Sequence, residues 1–311
     1  MPKLIDVDPF RLALARLVPD EPRAHRGLTV IPLLAPGTDD PDWLTLPEAG
    51  DAVRITEVTE AGEVPFLTVV NAGDRPVLLL DGEELVGAKQ NRVLNTTVLV
   101  GARADVRIPV SCVEWGRWAY RDRRLVAGNV SLFASLRAAQ AAHVTASLRA
   151  GGLHAGDQHG LWHELDRKVR DAGVASPTGA MHTFFEVHAD QVQQGAKALA
   201  AVPAQTAALI FVGGEWAGLE LLASPGLFAR TWPRLLSGYL AEALRAPEAA
   251  GPVSPAVLEL IGESSVERVP AIGLGDEYRL TGERVTGAGL VVDARVAHLA
   301  VFPSPTGRTA G

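Results

Sequence analysis

Short apolar runs, several with residue-by-residue alternation, dominate the first 130 positions of the chain. Six of them are rich in β-branched residues and separated by clusters of Gly, Asp, Asn or Pro, which predicts strands. They read LTVIPLL, AVRITEV, PFLTVVN, RPVLLLD, RVLNTTVLV and ADVRIPVSCVE. A spacing of about ten residues is typical of an antiparallel sandwich or barrel. Ahead of them, Asp8-Pro9 resembles an N-cap and first helical residue, which predicts a short helix over about Pro9 to Val18.

After about residue 130 the hydrophobic period becomes helical. Helical spacing is carried by SLRAAQAAHVTASLRA, HGLWHELDRKVRDAG, AMHTFFEVHADQVQQGAKALA and GLFARTWPRLLSGYLAEALRA. TAALIFVGGEWAGLELLAS predicts a β-hairpin, and the stretch from Arg268 to Phe302 predicts a closing antiparallel set. We therefore predict an α+β protein with an antiparallel, sandwich- or barrel-like β-rich N-terminal domain (1–130) and a helical and mixed α+β C-terminal domain (131–311).

Composition narrows the class of protein. The chain has 311 residues, 47% hydrophobic and 21% charged, as in soluble globular proteins. Its net charge of -7 gives no overall basic field for a nucleic acid or an anionic membrane, so neither partner is expected. Cys112 is the only cysteine and allows no internal disulfide. With no signal-peptide pattern and no apolar run long enough for a membrane span, we expect a cytoplasmic protein.

The stretch LLLDGEELVGAKQNRVLN is unusually dense in hydrogen-bonding groups. Its acids, amides and cations are Asp81, Glu83, Glu84, Lys89, Gln90, Asn91, Arg92 and Asn95. One interpretation is a polar pocket, in which Glu83 or Glu84 acts as acid or base while the following side chains hold a polar ligand. The other is a structural network that ties a wide turn to the sheet. The density of polar groups favours the pocket.

The next polar segment is SCVEWGRWAYRDRR. Strand alternation places Cys112 on one face with Val110 and Ile108, which predicts a buried small hydrophobe rather than a nucleophile. Glu114, Arg117 and Trp118 follow the strand. Arginine beside aromatics suits an anion and a stacked base or sugar, but the same residues also suit a packing corner between domains.

Two further segments carry weaker signals. In VASPTGAMHTFF, Ser176 or Thr178 is expected to cap a helix, with phosphate binding at that helix end as the alternative. His159 and His163 lie four residues apart, but Gly160 stands where a metalloprotease has its glutamate. We therefore expect a solvated interdomain segment and predict no metal site and no cofactor. A cupin-like enzyme is disfavoured, since His298 is the only histidine in the predicted strands.

Five stretches together resemble a known family. They are RPVLLLDGEELVGAKQNRVLNTTVLV, IPVSCVEWGRW, SPTGAMH, FVGGEWAGLELLASP and GLVVDARVAHLAVF. They are similar to the bacterial ARG and rhodanese-phosphatase-superfamily-associated proteins, where ARG denotes ADP-ribosylglycohydrolase. The resemblance runs from about Gly27 to Phe302, with GEELVGAKQNR as its specific part. The family is named for its genomic company, so the resemblance implies a link to NAD or ADP-ribose metabolism without supplying catalytic residues.

Our leading hypothesis is a protein that binds a small phosphorylated, ADP-ribose-like or NAD-related ligand, with hydrolysis of that ligand left open. The candidate acids or bases are Glu83 and Glu84. The candidate ligand-binding residues are Lys89, Gln90, Asn91, Arg92, Asn95, Glu114, Arg117, Trp118, Ser176 and Thr178. The alternative is a non-enzymatic interaction or scaffold protein in which the motif is an internal hydrogen-bond network. The oligomeric state is left open.

Overall fold

A computed structural model of the protein describes residues 8–59, 62–63, 65–248 and 253–305. The described chain contains three β-structures. They are a nine-stranded antiparallel sheet, a three-stranded sheet and a closed six-stranded barrel. Within the described residues, no helix has the length and apolar character needed to cross a membrane.

The strands are β1 Val18–Pro19, β2 Arg23–His25, β3 Leu28–Leu34, β4 Leu44–Thr45, β5 Val53–Glu57, β6 Phe66–Asn71, β7 Val77–Leu79, β8 Glu83–Gly87, β9 Arg92–Leu94, β10 Val98–Val100, β11 Ala104–Cys112, β12 Leu125–Ser131, β13 Gln205–Val212, β14 Glu215–Leu222, β15 Ser265–Pro270, β16 Asp276–Thr281, β17 Val285–Val292 and β18 Arg295–Pro303. The helices are α1 Pro9–Ala15, α2 Leu46–Ala49, α3 Ala134–Arg149, α4 Gln158–Asp171, α5 Met181–Val187, α6 Ala189–Ala198, α7 Pro225–Ala243 and α8 Val257–Gly262, with a 3₁₀ turn at Gly50–Ala52.

The barrel closes in the order β11-β6-β5-β12-β8-β9. All of its strand pairs are antiparallel. Alternate side chains point inward, and Ile55, Leu67 and Ile108 are fully buried members of an apolar core there. Because the pairs are antiparallel, one end of the barrel contains the last residues of β5, β8 and β11 and the first residues of β6, β9 and β12. The loops that follow β8 and β11 therefore emerge at the same end of the barrel.

The large sheet runs β1-β3-β13-β14-β18-β17-β16-β15, with β2 also paired to β3. Helix α7 packs against it and contributes Trp232, Leu235 and Tyr239 to the largest apolar cluster. Strand β3, from the first half of the chain, pairs with β13, as Ile31 opposite Leu209 shows. The division into domains at residue 130 stays a prediction, and the two halves of the chain share this sheet.

Most predicted elements are confirmed. The first helix begins at Pro9 as predicted, but it ends at Ala15 rather than near Val18, which starts β1. The Asp8 carboxylate accepts a hydrogen bond of 2.9 Å from the Phe10 amide. The β13–β14 hairpin, helix α7 and the closing set β15–β18 are present, and the β-rich antiparallel character is confirmed. The prediction of RVLNTTVLV as one strand is wrong, since β9 belongs to the barrel and β10 to the three-stranded sheet. Strands β8 and β12 were not predicted.

Candidate functional site

One end of the barrel has a polar interior, which we call the polar mouth. It consists of Glu57, Lys89, Gln90, Arg92, Cys112 and Trp118. Three strand residues point inward here, namely Glu57 at the end of β5, Arg92 at the start of β9 and Cys112 at the end of β11. Each of them lies two positions from an apolar residue that points inward. The β8–β9 turn adds Lys89 and Gln90, and the β11–β12 loop adds Trp118. A Cβ at Gly62, just beyond β5, would lie 3.2 Å from the Trp118 ring.

The central pair of the polar mouth is buried and incompletely hydrogen-bonded. The Arg92 side chain is 0% exposed and that of Glu57 is 3% exposed, with Arg92 Nη2 at 3.9 Å from Glu57 Oε1. Among the described residues, four of their atoms have no hydrogen-bond partner: both Glu57 oxygens, and Nε and Nη2 of Arg92. Buried charged groups that lack hydrogen bonds are costly. A polar molecule at the mouth would supply the missing partners.

Other mouth residues surround this pair. Gln90 Oε1 accepts hydrogen bonds from Arg92 Nη1 at 2.8 Å and from the Cys112 thiol at 3.1 Å. Lys89 Nζ lies 5.1 Å from the Trp118 ring centre, and the Arg92 guanidinium lies 5.8 Å from it. Trp118 is 48% exposed, so part of this residue is accessible to a ligand. Among the described residues, two cations, one carboxylate and an aromatic ring make this site suited to an anion with a planar group.

Cys112 is buried, as the strand pattern predicts. Burial raises the pKa of its thiol, and the nearby Arg92 cation only partly opposes that rise. A thiol held in its protonated form is a poor nucleophile. Its position at the mouth therefore gives it a packing and hydrogen-bonding role.

Beside the mouth, Arg117 holds the β8–β9 turn against the β11–β12 loop. Its Nη1 donates to the carbonyls of Ala88 and Ala119 at 2.6 and 2.8 Å. Its Nη2 lies 2.6 Å from Glu114 Oε2 and 3.2 Å from Asn91 Oδ1. Burial opposes the charge of Glu114, but hydrogen bonds from Arg117 and the Asn91 amide hold its pKa below the ordinary value. We call this arrangement the Arg117 clasp.

Glu84 and His182 form a second polar pair, outside the barrel wall. Glu84 Oε2 lies 2.7 Å from His182 Nδ1, and its Oε1 has no hydrogen-bond partner in the described part of the chain. Burial raises the pKa of Glu84, and the hydrogen bond that the His182 ring donates to the Glu84 carboxylate raises the pKa of His182. His182 is 28% exposed, so it connects a buried carboxylate with solvent. Such a pair has the chemistry for proton transfer.

The remaining acid and amide candidates lie elsewhere. Glu83 Oε1 is paired with Arg234 of α7, at 2.9 Å from Nε and 2.8 Å from Nη2. Asn95 Nδ2 donates to the His154 carbonyl at 2.9 Å, which turns this side chain toward the loop between α3 and α4 and away from the mouth. The structure thus brings Lys89, Gln90, Arg92 and Trp118 together and separates Glu83 and Asn95 from them.

The expected side-chain cap of helix α5 is wrong. Its N-cap is Ala180, which offers no side-chain oxygen. Ser176 Oγ accepts instead from the Ala180 amide at 2.8 Å, and Thr178 Oγ1 donates to Glu114 Oε1 at 3.0 Å. The turn is therefore anchored to the Arg117 clasp. Within the described ranges, no group of three His, Cys, Asp or Glu side chains is arranged to hold a metal ion.

Sequence reasoning missed Glu57 and His182. The signal for Glu57 was present in AVRITEV, because Val53, Ile55 and Glu57 alternate onto one face of the strand. The position of His182 depends on the packing of α5 against the barrel, which no local pattern predicts.

The fold and the polar mouth define a β-rich protein that combines a six-stranded antiparallel barrel with a large antiparallel sheet. The family model of the ARG and Rhodanese-Phosphatase-superfamily-associated Protein domain matches residues 16–302. The chain therefore belongs to this family, and the resemblance inferred from its motifs is confirmed. No curated protein and no solved structure matches the chain.

Proposed function

We propose that the protein binds a small phosphorylated, nucleotide-like ligand at the polar mouth. The observation that carries the proposal is the buried Glu57–Arg92 pair. Four of its polar atoms have no partner among the described residues, and Trp118 lies half-exposed beside it. Mouths of β-barrels are common positions for small-molecule sites, which typically combine apolar walls with a few convergent polar groups. Here the convergent polar groups lie at the ends of the barrel strands β5, β9 and β11.

The chemistry of each group matches a part of such a ligand. The Glu57 carboxylate is an acceptor for sugar hydroxyls, and Arg92 is a donor for phosphate oxygens. Trp118 offers a face on which a base stacks, and Lys89 adds positive charge next to it. The association of this family with ARG favours ADP-ribose or a related NAD derivative over other phosphorylated ligands.

Hydrolysis of the ligand is the further step of this proposal, with Glu84 and His182 as the proton-transfer pair; it requires the scissile bond of the bound ligand to reach this pair on the outer side of the barrel wall. Cleavage of an N-ribosyl bond by water requires a carboxylate that activates the water or stabilises the oxocarbenium-like charge. Glu84 is better suited than Glu83, because Glu83 is neutralised by Arg234 at 2.8 Å. Raised pKa values of both Glu84 and His182 favour proton exchange nearer neutral pH.

Calorimetric titration with ADP-ribose and with NAD, each up to millimolar concentration, tests the binding. Trp118→Ala is expected to weaken binding about tenfold, the effect of one lost base–aromatic stack. The matched control is Trp115→Ala, which removes an exposed tryptophan of the same loop whose ring lies against Gly179, and this variant should bind as the wild type does. Arg92→Ala and Gln90→Ala are expected to abolish the heat of binding.

The outcomes separate binding from chemistry. Absence of heat with both nucleotides would reject the ligand proposal, and an equal loss in Trp115→Ala and Trp118→Ala would remove Trp118 from the site. Chromatography of ligand incubated with the protein measures turnover. Glu84→Gln should retain binding and lose product formation, so turnover that persists in this variant would reject the role of Glu84.

A second candidate function, a non-enzymatic interaction protein, is favoured by the Arg117 clasp. The terminal nitrogens of Arg117 are fully engaged by carbonyls, Asn91 and Glu114. In that case the motif is an internal tie between barrel, loops and helices, and exposed surface carries the partner. The nucleotide titrations also decide this point, since a purely structural motif predicts no heat and no effect of Trp118→Ala.

A further inference from the structure

A second cavity lies on the outer side of the barrel wall, between β11, α3 and α4. Its volume is about 130 Å³, and its walls include Leu136, Ala139 and Leu161. Ser111 and Gln140 form its polar floor. Cys112, the neighbour of Ser111 in β11, points into the barrel, so Ser111 points outward and the wall separates this side cavity from the polar mouth.

A chain of hydrogen bonds fixes the orientation of the amides on the floor. The His154 backbone carbonyl only accepts, so the Asn95 atom 2.9 Å from it is the donor Nδ2. Asn95 Oδ1 therefore faces the other way, where it accepts from the Ser111 hydroxyl at 2.8 Å. It also accepts from Gln140 Nε2. This sequence of bonds leaves no freedom to exchange oxygen and nitrogen in either amide.

The polar atoms of the floor that are not used as donors in this chain of hydrogen bonds are therefore hydrogen-bond acceptors. The Ser111 hydrogen and the Gln140 amide are both directed at Asn95 Oδ1. Gln140 Oε1 has no hydrogen-bond partner among the described residues, and its side chain is almost completely buried. An unpaired buried amide oxygen gains most from a ligand that brings an N–H donor.

The rim of the side cavity is acidic. Asp157 and Glu164 line it together with His143, whose Nε2 lies 3.9 Å from the Asp157 carboxylate. A hydrogen bond from Arg167 lowers the pKa of Glu164 and keeps it ionised. Two carboxylates at the entrance disfavour anions, whereas the described part of the polar mouth offers the Lys89 and Arg92 cations.

We propose that the side cavity binds a compact, uncharged molecule with an apolar ring and an N–H donor, such as a small aromatic amine or primary amide. An apolar cavity of about 150 Å³ accommodates benzene, so the volume here suits one ring. The ring lies between Leu136 and Leu161, and the donor meets Gln140 Oε1. The inference is independent of the nucleotide proposal, because it uses different residues and a rim that disfavours the anions proposed for the mouth.

Ligand-observed NMR titration of the full chain with aniline, toluene and benzoate tests the proposal. Aniline and toluene have the same size, but only aniline carries a donor. We expect saturable aniline binding, toluene binding about tenfold weaker because one hydrogen bond is missing, and no benzoate binding. Ala139→Phe fills the cavity and should abolish aniline binding. The matched control is Ala146→Phe on an exposed position of the same helix, which should leave binding unchanged.

Each contrary outcome overturns the proposal. Failure of aniline to bind the wild type, toluene or benzoate binding as strong as aniline binding, or unchanged aniline binding in Ala139→Phe would each do so. If Ala139→Phe does not fold, as judged by circular dichroism, the smaller Ala139→Leu takes its place with the same expectation. Nucleotide titration of the cavity-filled variant should match the wild type, which keeps this test separate from that of the mouth.

Discussion

Replacing Arg117 by alanine removes the centre of the Arg117 clasp. The guanidinium makes hydrogen bonds to the carbonyls of Gly87, Ala88 and Ala119 at 2.6 to 3.2 Å. It also neutralises Glu114, whose carboxylate is buried and lies 2.6 Å away. Without Arg117 this carboxylate remains in the protein interior, and its nearest countercharge is the exposed Arg121 guanidinium at 3.9 Å. The variant therefore tests whether the motif region depends on one buried ion pair.

The magnitude follows from the burial of both partners. Removing one member of a buried ion pair costs about 3–5 kcal/mol, because the remaining charge is left uncompensated. The carbonyls that lose a donor add to this value. Since the whole free energy of unfolding of a natural protein is about 5–15 kcal/mol, we expect Arg117→Ala to be folded but marginally stable, with a loss of at least about 3 kcal/mol.

Urea denaturation followed by circular dichroism at neutral pH measures this loss. Arg121→Ala is the matched control, because Arg121 approaches the same carboxylate at 3.9 Å but is 60% exposed. Exposed ion pairs contribute about 0–1 kcal/mol, so the control should be close to the wild type. Arg117→Ala combined with Glu114→Gln should recover part of the loss, since the second change removes the unpaired charge.

The pH dependence gives an independent check. The pKa of Glu114 is lowered in the folded protein, so its contribution is present above its ordinary pKa and is lost as the pH falls through the lowered value. The difference between wild type and Arg117→Ala should therefore shrink in acid. A loss below about 1 kcal/mol at neutral pH, or one equal to that of Arg121→Ala, would refute the reasoning.

Three further predictions concern the surroundings of the site. Because the pKa of His182 is raised by Glu84, its contribution is full below the ordinary histidine value and is lost as the pH rises through the raised value; in urea denaturation, His182→Ala should cost more near pH 6 than near pH 9. The buried Cys112 thiol should react with dithiobis(nitrobenzoate) only at the rate of opening or unfolding, and rapid labelling of the native protein would contradict its burial. A Cβ at Gly128 would lie 3.0 Å from Glu84 Oε2, so Gly128→Ala should lower the free energy of unfolding by about 1–3 kcal/mol. Gly262→Ala, with open space around it, should not, and equal losses in the two variants would contradict the contact.

Local patterns predict those parts of the fold in which burial follows strand or helix periodicity. Strands β3, β6 and β11 and helix α7 are found where the apolar pattern indicates them. Strand β8 was missed because it begins with Glu83 and Glu84, which are buried only through Arg234 and His182. Partners from remote parts of the chain make those carboxylates tolerable in a strand, and no local pattern records such partners.

The strand prediction across Asn95–Thr97 failed for a related reason. The residues on both sides are apolar and β-branched, so propensity alone continues the strand. In the protein, Asn95 is held by the His154 carbonyl and Thr97 by His298 at 2.7 Å, both distant in sequence. The chain changes sheets between these anchors. Tertiary hydrogen bonds thus override the local preference for an extended strand.

The density of polar residues in the motif does indicate a special region, but it does not separate the two kinds of arginine in it. Both terminal nitrogens of Arg117 have acceptors and only its Nε lacks one, whereas Arg92 retains Nε and a terminal nitrogen, Nη2, without partners in the described structure. Both are buried arginines close to a carboxylate, and only the three-dimensional arrangement distinguishes the residue that holds the loops from the residue that has hydrogen bonds to offer.

This difference means that a structural motif and a ligand site are compatible in the same segment. The Arg117 clasp fixes the β8–β9 turn, and that turn carries Lys89 and Gln90 at the rim of the mouth. A site with fixed side chains loses less conformational entropy when a ligand binds, so a rigid clasp favours binding at the neighbouring Glu57–Arg92 pair. Variants of Arg117 should therefore act first on the free energy of unfolding. Glu57→Gln, which leaves the clasp intact, should act first on ligand affinity.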